Sequence, residues 1–404
     1  MSIMLRSYVS VLKEHLDQHR QMIFVVGPRQ VGKTTLCTRL YSKHSYFNWD
    51  NQDHRALIIG GPGRVAEEIG VHQLQEKPGI VVFDEIHKYS KWKQFLKGLF
   101  DVYGSMLKIV VTGSSRLDVF KRGEDSLMGR YFQYHLHPVS IREIIAPEIG
   151  PKEIQPPHPI DPVDFETLLR FGGFPEPYLK KDLRFSNRWK KLRQQQLFTE
   201  DIRDFTRVQE IHQIEMLAEI LKHQSGQLIN YSNLARKVNV SVDTIRRWIK
   251  VLESLYYCFT IQPWFRNVSR SLLKQPKIYL WDWSLLTDSG VKSENFVASH
   301  LLKAVHWWTD NGFGDYGLYF LRNKDGREVD FLVTRNQEPW FLTEVKTGKR
   351  KSISKDLVFY HKQIKANHAF QANFAMDYVN ADCFSTEQPI IVPVRTLLSQ
   401  LIYP

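Results

Sequence analysis

Gly27-Pro28-Arg29-Gln30-Val31-Gly32-Lys33-Thr34 limits what this chain can fold into more than any other stretch. It fits G-x-x-x-x-G-K-[ST] at every fixed position, directly after the apolar run Met22–Val26 and directly before a helical pattern, Lys33–Tyr41. A strand, a glycine-rich turn and a helix start, in that order, are the context the pattern requires. Such a turn points successive backbone N–H groups, and the helix N-terminus behind them, into one concavity that suits a phosphate. Lys33 would then neutralise β- and γ-phosphate oxygens, and the Thr34 hydroxyl would ligate Mg²⁺. Gly27, Pro28, Arg29, Gln30, Val31, Gly32, Lys33, Thr34 and Thr35 are therefore the expected nucleotide-binding residues, with ATP and Mg²⁺ as ligands. The competing reading is a glycine-rich turn carrying an incidental lysine.

Further strand-length apolar runs follow at Tyr46–Asp50, Gly79–Asp84, Leu107–Gly113 and Arg130–Pro138, separated by helical patterns such as Lys91–Tyr103. That alternation predicts a parallel α/β sheet through about Gly150. The run GIVVFD ends in Asp84-Glu85. Asp84 is expected to hold Mg²⁺ through water and Glu85 to polarise the water that attacks the γ-phosphate; acidic residues that merely cap a strand are the alternative. The run LKIVVTG leads into Ser114 and Ser115. With Thr112, these hydroxyls either sense the γ-phosphate or cap the next helix.

Prolines 147, 151, 156, 157, 159 and 162 then forbid a continuous helix or central strand and mark a boundary. The expected organisation is a core at 1–150, a helical segment at 151–208, a helix-turn-helix segment at 209–267 and a second α/β unit at 268–404. In the third segment a helix at Tyr231–Val238, a turn at Asn239-Val240 and a Ser241 cap lead into a second helix. If that helix entered a DNA major groove, Arg246, Arg247 and Lys250, with Arg236 and Lys237, would meet phosphates and base edges. A lid or docking platform would have the same shape. In the last segment Asp330 sits in a strand pattern, and Glu344 and Lys346, two apart on the next, share one face. Two carboxylates can bind Mg²⁺ and a lysine can stabilise charge in phosphodiester hydrolysis, with Glu294 completing the shell. A salt-bridged pair of strands is the plainer alternative.

A net charge of +12, spread along the chain, invites a phosphate-bearing partner and excludes a single basic tail as its source. Three cysteines far apart exclude a disulfide framework and a four-thiolate zinc site. No apolar run approaches the length of a membrane span, and the N-terminus mixes both charge signs, so the expected compartment is the cytoplasm.

The stretches GPRQVGKTTL, VVFDEIHK and VVTGSSR resemble, in order and spacing, the nucleotide loop, metal strand and first sensor of AAA-type ATPases. SLMGRYFQYHLHPVSIREI followed by LLRFGGFPEPYL is similar to a large group of prokaryotic predicted ATPases that pair an AAA-type N-terminal domain with a nuclease-like C-terminal domain. The likeness covers nearly the whole chain. It implies an α/β fold: a P-loop NTPase parallel sheet with a helical lid, a winged helix-turn-helix resembled by ARKVNVSVDTIRRWIKVLE, and a C-terminal α/β nuclease-like domain. It also implies an arginine from the lid or from a neighbouring copy that completes the site. Arg130 is the candidate and Arg116 the second, with a surface role at a helix end as the alternative. Asp330, Glu344 and Lys346 match the PD-(D/E)xK pattern residue by residue, Val329 standing where the proline would be. Three functions are consistent with this: an ATPase coupling nucleotide state to double-stranded DNA, a protein partner or a homo-oligomer; an ATP-regulated DNA nuclease; and a non-enzymatic ATP-dependent switch.

Overall fold

The computed structural model describes residues 6–41, 44–73, 77–113, 127–145, 152–202, 210–265, 275–348 and 352–401. Contacts divide the chain into two compact units, with the division after His137.

The first unit runs α1 (Tyr8–Gln18), β1 (Met22–Val26), α2 (Lys33–Cys37), β2 (Ser45–Asn48), α3 (Gln52–Ile59), α4 (Pro62–Ile69), β3 (Gly79–Asp84), α5 (Trp92–Tyr103), β4 (Leu107–Gly113) and β5 (Tyr131–His135). Its five strands are all parallel, in the order β2-β3-β4-β1-β5. Every residue of β1 is buried, as expected of a strand covered on both faces. Phe24, Phe83, Phe95, Leu96 and Val111 pack into one core on one side of this sheet. On α1, Tyr8, Val11, Leu12 and Leu16 recur at helical spacing and are the buried face. The strand order places β4 between β1 and β3, and the register aligns Asp84, Thr112 and Val25 in one row across the sheet.

The second unit runs α6 (Ile141–Ile145), α7 (Pro162–Phe171), α8 (Pro175–Lys180), α9 (Leu183–Gln196), α10 (Ile211–His223), α11 (Tyr231–Val238), α12 (Val242–Ser254), β6 (Cys258–Pro263), β7 (Lys277–Leu280), α13 (Ser289–Asp310), β8 (Tyr316–Arg322), β9 (Glu328–Arg335), β10 (Glu338–Lys346), α14 (Lys355–Ile364), β11 (His368–Asn373), β12 (Ile390–Pro393) and α15 (Val394–Gln400). Its sheet is mixed, with seven strands in the order β12-β11-β10-β9-β8-β6-β7. Two sequence boundaries fall differently here. The segment after Pro138 packs with the second unit: Val139 N–H donates to the Gly173 carbonyl, and the Lys303 ammonium meets both the Pro138 carbonyl and the Glu143 carboxylate. The strand β6, expected within the helix-turn-helix segment, pairs antiparallel with β7 and parallel with β8, and so belongs to the large sheet.

Asn239 takes a left-handed conformation (φ 58°) at the turn between α11 and α12, and the Ser241 Oγ accepts the Thr244 N–H at 3.1 Å. That cap contributes about 1 kcal/mol to the start of α12. Leu234, Val238, Ile245, Trp248 and Leu252 bury the inner faces of both helices in a shared core. Among the described residues no helix is long and apolar enough to cross a membrane.

Candidate functional site

The loop between β1 and α2 curls back over the end of β1. The Lys33 side chain folds inward, its Nζ donating to the Gly27 carbonyl at 2.9 Å and the Pro28 carbonyl at 2.8 Å. Lys33 is 7% exposed. Burial pulls its pKa down to about 8, against the opposing pull of Glu85 and Asp84. An ammonium held on two neutral carbonyls at that cost is one that an anionic phosphate would stabilise. Gly27 is required by close approach: a Cβ there would stand 2.3 Å from the Leu136 carbonyl oxygen, where the chain leaves β5. Gly32 and Gln30 both have positive φ, 100° and 62°. Glycine takes this conformation freely, whereas Gln30 is strained by it, and strain of that kind concentrates at ligand clamps where surrounding contacts over-determine the backbone.

One contact in this loop could not be expected from the motif. Arg6, ahead of α1 and 6% exposed, donates from Nη1 to the Val31 carbonyl at 2.7 Å and from Nη2 to the His137 carbonyl at 2.5 Å. It ties the underside of the loop to the end of the unit. No local pattern distinguishes this arginine from a surface one.

Asp84 is the hub of the site. Its Oδ2 accepts from the Thr34 hydroxyl at 2.8 Å and from the Tyr46 hydroxyl at 2.7 Å, and its Oδ1 accepts from the Thr112 hydroxyl. Residues from α2, β2, β3 and β4 thus meet on one buried carboxylate. Burial, reinforced by Asp84, pushes the Tyr46 pKa up, so its hydroxyl remains a donor. A carboxylate and a threonine hydroxyl side by side at a helix start are hard oxygen donors, the set Mg²⁺ uses together with substrate phosphates. The residues therefore fit the metal expected from the motif. Thr35 is exposed in the first turn of α2, whereas Val31 is fully buried.

Glu85 follows with a left-handed backbone (φ 56°), its N–H donating to the Thr112 carbonyl at 3.1 Å. This turns the side chain out of the strand, where Oε2 lies 3.5 Å from the Lys88 Nζ and 3.7 Å from the His87 Nε2. Ser114, Ser115 and Arg116 lie outside the described residues. Arg130 needs correction as a residue of its own chain's site. It precedes β5, and Tyr131 is in register with Met22 at the far end of β1 from the loop. Five residues of strand, about 16 Å, intervene. Its guanidinium is engaged by Asp101 in a two-point pair, 2.8 and 2.9 Å.

In the second unit the structure brings Asp330, Glu344 and Lys346 to neighbouring strands, β9 and β10. Asp330 Oδ2 accepts the Val345 N–H at 2.8 Å, and Lys346 Nζ lies 2.5 Å from Glu344 Oε1. Glu294 on α13 joins them but is met by residues absent from the sequence reading: the Tyr279 hydroxyl donates to its Oε1 at 2.8 Å, and the Lys277 ammonium lies 3.4 Å from the same oxygen. Burial first, then Glu294, pushes the Asp330 pKa up to about 7, with Lys277 opposing. Among the described residues no group of three or more histidine, cysteine or acidic side chains is arranged to hold a metal ion. A lysine, Lys277, stands between Glu294 and Asp330, two members of the expected shell, while the third, Glu344, is paired with Lys346. Arg236, Lys237, Arg246, Arg247 and Lys250 are all exposed on α11 and α12. Arg246 stacks over the Tyr231 ring at 4.3 Å, and Arg247 lies 3.5 Å from Glu210.

A parallel sheet with β4 between the loop strand and the acidic strand, and a buried lysine above it, define a Walker-type P-loop domain. Residues 19–145 match the family described as "AAA domain", residues 163–294 a domain of unknown function (DUF8612), and residues 289–397 a second domain of unknown function (DUF4143). The chain is 23% identical over 354 residues to an uncharacterized protein of Mycobacterium tuberculosis, covering 83% of this chain and 72% of that one. It is 22% identical over 400 residues to an uncharacterized protein of Methanocaldococcus jannaschii, covering 88% and 82%. Among solved structures it is similar to the Walker-type ATPase of Pyrococcus abyssi, at 15% identity, a TM-score of 0.44 and coverage of 70% of this chain and 95% of that one. Residues 19–145 thus resemble an AAA domain, and they lie on a parallel five-stranded sheet with the P-loop at the end of β1.

Proposed function

We propose that the chain binds Mg·ATP in the β1–α2 loop and hydrolyses it slowly, using nucleotide state to control what the second unit binds. The observation that carries this reading is the convergence of Thr34, Thr112 and Tyr46 on Asp84 directly below the loop that buries Lys33. Bound there, Mg²⁺ would neutralise phosphate charge and orient the γ-phosphate for in-line attack. The backbone N–H groups of the loop hold the β-phosphate. Lys33 leaves its carbonyl partners for the β and γ oxygens. Asp84 orients the Thr34 hydroxyl, and Tyr46 and Thr112 keep that carboxylate fixed. Glu85, turned out of the strand by its left-handed backbone, is the group that takes the proton of the attacking water.

The experiment is Glu85→Gln, read by ATP binding and turnover separately. The reading predicts retained binding with turnover reduced by roughly 10²-fold or more, the scale of a lost general base. Turnover unchanged in Glu85→Gln removes Glu85 from the mechanism. Binding without turnover in the native chain, with DNA present as well as absent, favours the non-enzymatic switch instead.

The partner controlled by this state is proposed to be duplex DNA, met by α12. The support is that Arg246, Arg247 and Lys250 are exposed together on a helix whose opposite face is core. A nuclease reading of the C-terminal sheet is weaker, because Lys277 lies among the carboxylates that would have to ligate the metal.

A further inference from the structure

Lys277 opens β7 and is 3% exposed. Its ammonium lies 2.5 Å from Glu328 Oε1, 3.4 Å from Glu294 Oε1 and 3.9 Å from Asp330 Oδ1. Glu328 and Asp330 are two apart on β9 and share a face, while Glu294 comes from α13, so three carboxylates reach this one nitrogen from two elements. The lysine is firmly placed. Its backbone is paired with Ile261 on β6 and bridged to Leu228, and its ammonium lies 5.6 Å from the Phe320 ring centroid. Burial works against its charge, but the carboxylates outweigh burial and leave it a protonated cation.

A divalent ion in a carboxylate cage needs oxygen ligands at about 2.0–2.6 Å, with room for waters. The point at which Glu294, Glu328 and Asp330 converge is taken by a buried nitrogen that makes an ion pair with each of them. Glu344 is drawn aside to Lys346, and its Oε2 is buried without a hydrogen-bond partner among the described residues.

We propose that the Lys277 ammonium is a built-in cation standing where the nuclease-like sheet would place its divalent metal. The native C-terminal domain therefore takes no divalent metal where Glu294, Glu328 and Asp330 converge. The cluster joins β7, β9 and α13 through a buried lysine and three partly exposed carboxylates. Removing the ammonium would leave three converging carboxylates and the free Glu344 oxygen, a set that recruits a divalent ion.

The test is Mn²⁺ binding by the full chain without nucleotide, followed through the electron paramagnetic resonance signal of the free aqua ion. Native protein is expected to show no site that Asp330→Asn abolishes. Lys277→Ala is expected to gain one, at least about tenfold tighter than any binding by native protein, because a resident positive charge at this distance strongly repels a divalent ion. Adding Asp330→Asn to Lys277→Ala should remove the gained site. A native Mn²⁺ site lost in Asp330→Asn, or a folded Lys277→Ala that binds no Mn²⁺, overturns the proposal. If Lys277→Ala does not fold, Lys277→Met, which keeps the stem, takes its place. Native protein alone remains decisive through a second readout: metal-dependent cleavage of duplex DNA abolished by Asp330→Asn would also overturn it.

Discussion

Gly27→Ala tests the geometry of the nucleotide loop directly. The added Cβ would stand 2.3 Å from the Leu136 oxygen and 3.2 Å from its carbonyl carbon, and both are backbone atoms that cannot rotate away. Restoring van der Waals distance needs roughly 1 Å of movement by the loop or by the exit of β5. Overpacking of this kind costs about 1–3 kcal/mol. The same movement strains the 2.7 Å bond from Leu136 N–H to the Val26 carbonyl, worth about 1 kcal/mol. A total near 3 kcal/mol corresponds to a fall in melting temperature of about 6–12 °C for a domain of this size. Gly129→Ala is the control in the same unit, since Gly129 has a positive φ but nothing within 4 Å of its added Cβ. Its backbone cost should be about 1 kcal/mol. Thermal unfolding and titration of a fluorescent ATP analogue on both variants decide the matter. Gly27→Ala should lose stability and nucleotide binding together, and Gly129→Ala should keep its binding. A Gly27→Ala protein with native stability and native affinity would refute the close approach of the loop to Leu136.

Two further predictions concern charge. The pKa of Lys33 is depressed to about 8 without nucleotide, and phosphate contact raises it, so ATP binding takes up a proton once the pH exceeds about 8. Affinity should therefore be flat below pH 8 and fall as pH rises above it, and Lys33→Met should bind weakly with that dependence gone; isothermal titration at several pH values checks both. On α12, replacing exposed Arg246 and Arg247 together with alanine should weaken duplex DNA binding and reduce the slope of log affinity against log salt by about two, one for each lost phosphate contact. Fluorescence anisotropy across a salt series measures the slope, and an unchanged slope removes these two arginines from the interface.

The parts of this site that were legible in the sequence are those written locally. The phosphate loop, its strand and its helix are contiguous, and β3 announces Asp84 by ending an apolar run. What could not be read depends on which distant strands become neighbours. Tyr46 reaches Asp84 only because β2 pairs beside β3, and Arg6 reaches Val31 only once α1 packs on the unit. Arg130 follows a promising Met-Gly, but the parallel register of β5 on β1 puts it at the end of the sheet away from the loop. The C-terminal pattern shows the same limit from the other side. Asp330, Glu344 and Lys346 lie close in sequence and form a local pattern, whereas Lys277 enters from β7, a strand with no local link to them. A motif lists the groups that could do chemistry, and only the fold reveals the cation already sitting among them.

The central claim, that the loop holding Lys33 is an ATP-hydrolysing site, is tested most directly by steady-state phosphate release from purified native and Lys33→Ala protein, each with Mg²⁺ and ATP. The account predicts slow, saturable release by the native chain and none above background in Lys33→Ala, with both proteins equally folded. Undiminished release by Lys33→Ala, with contaminating activity excluded, would contradict it.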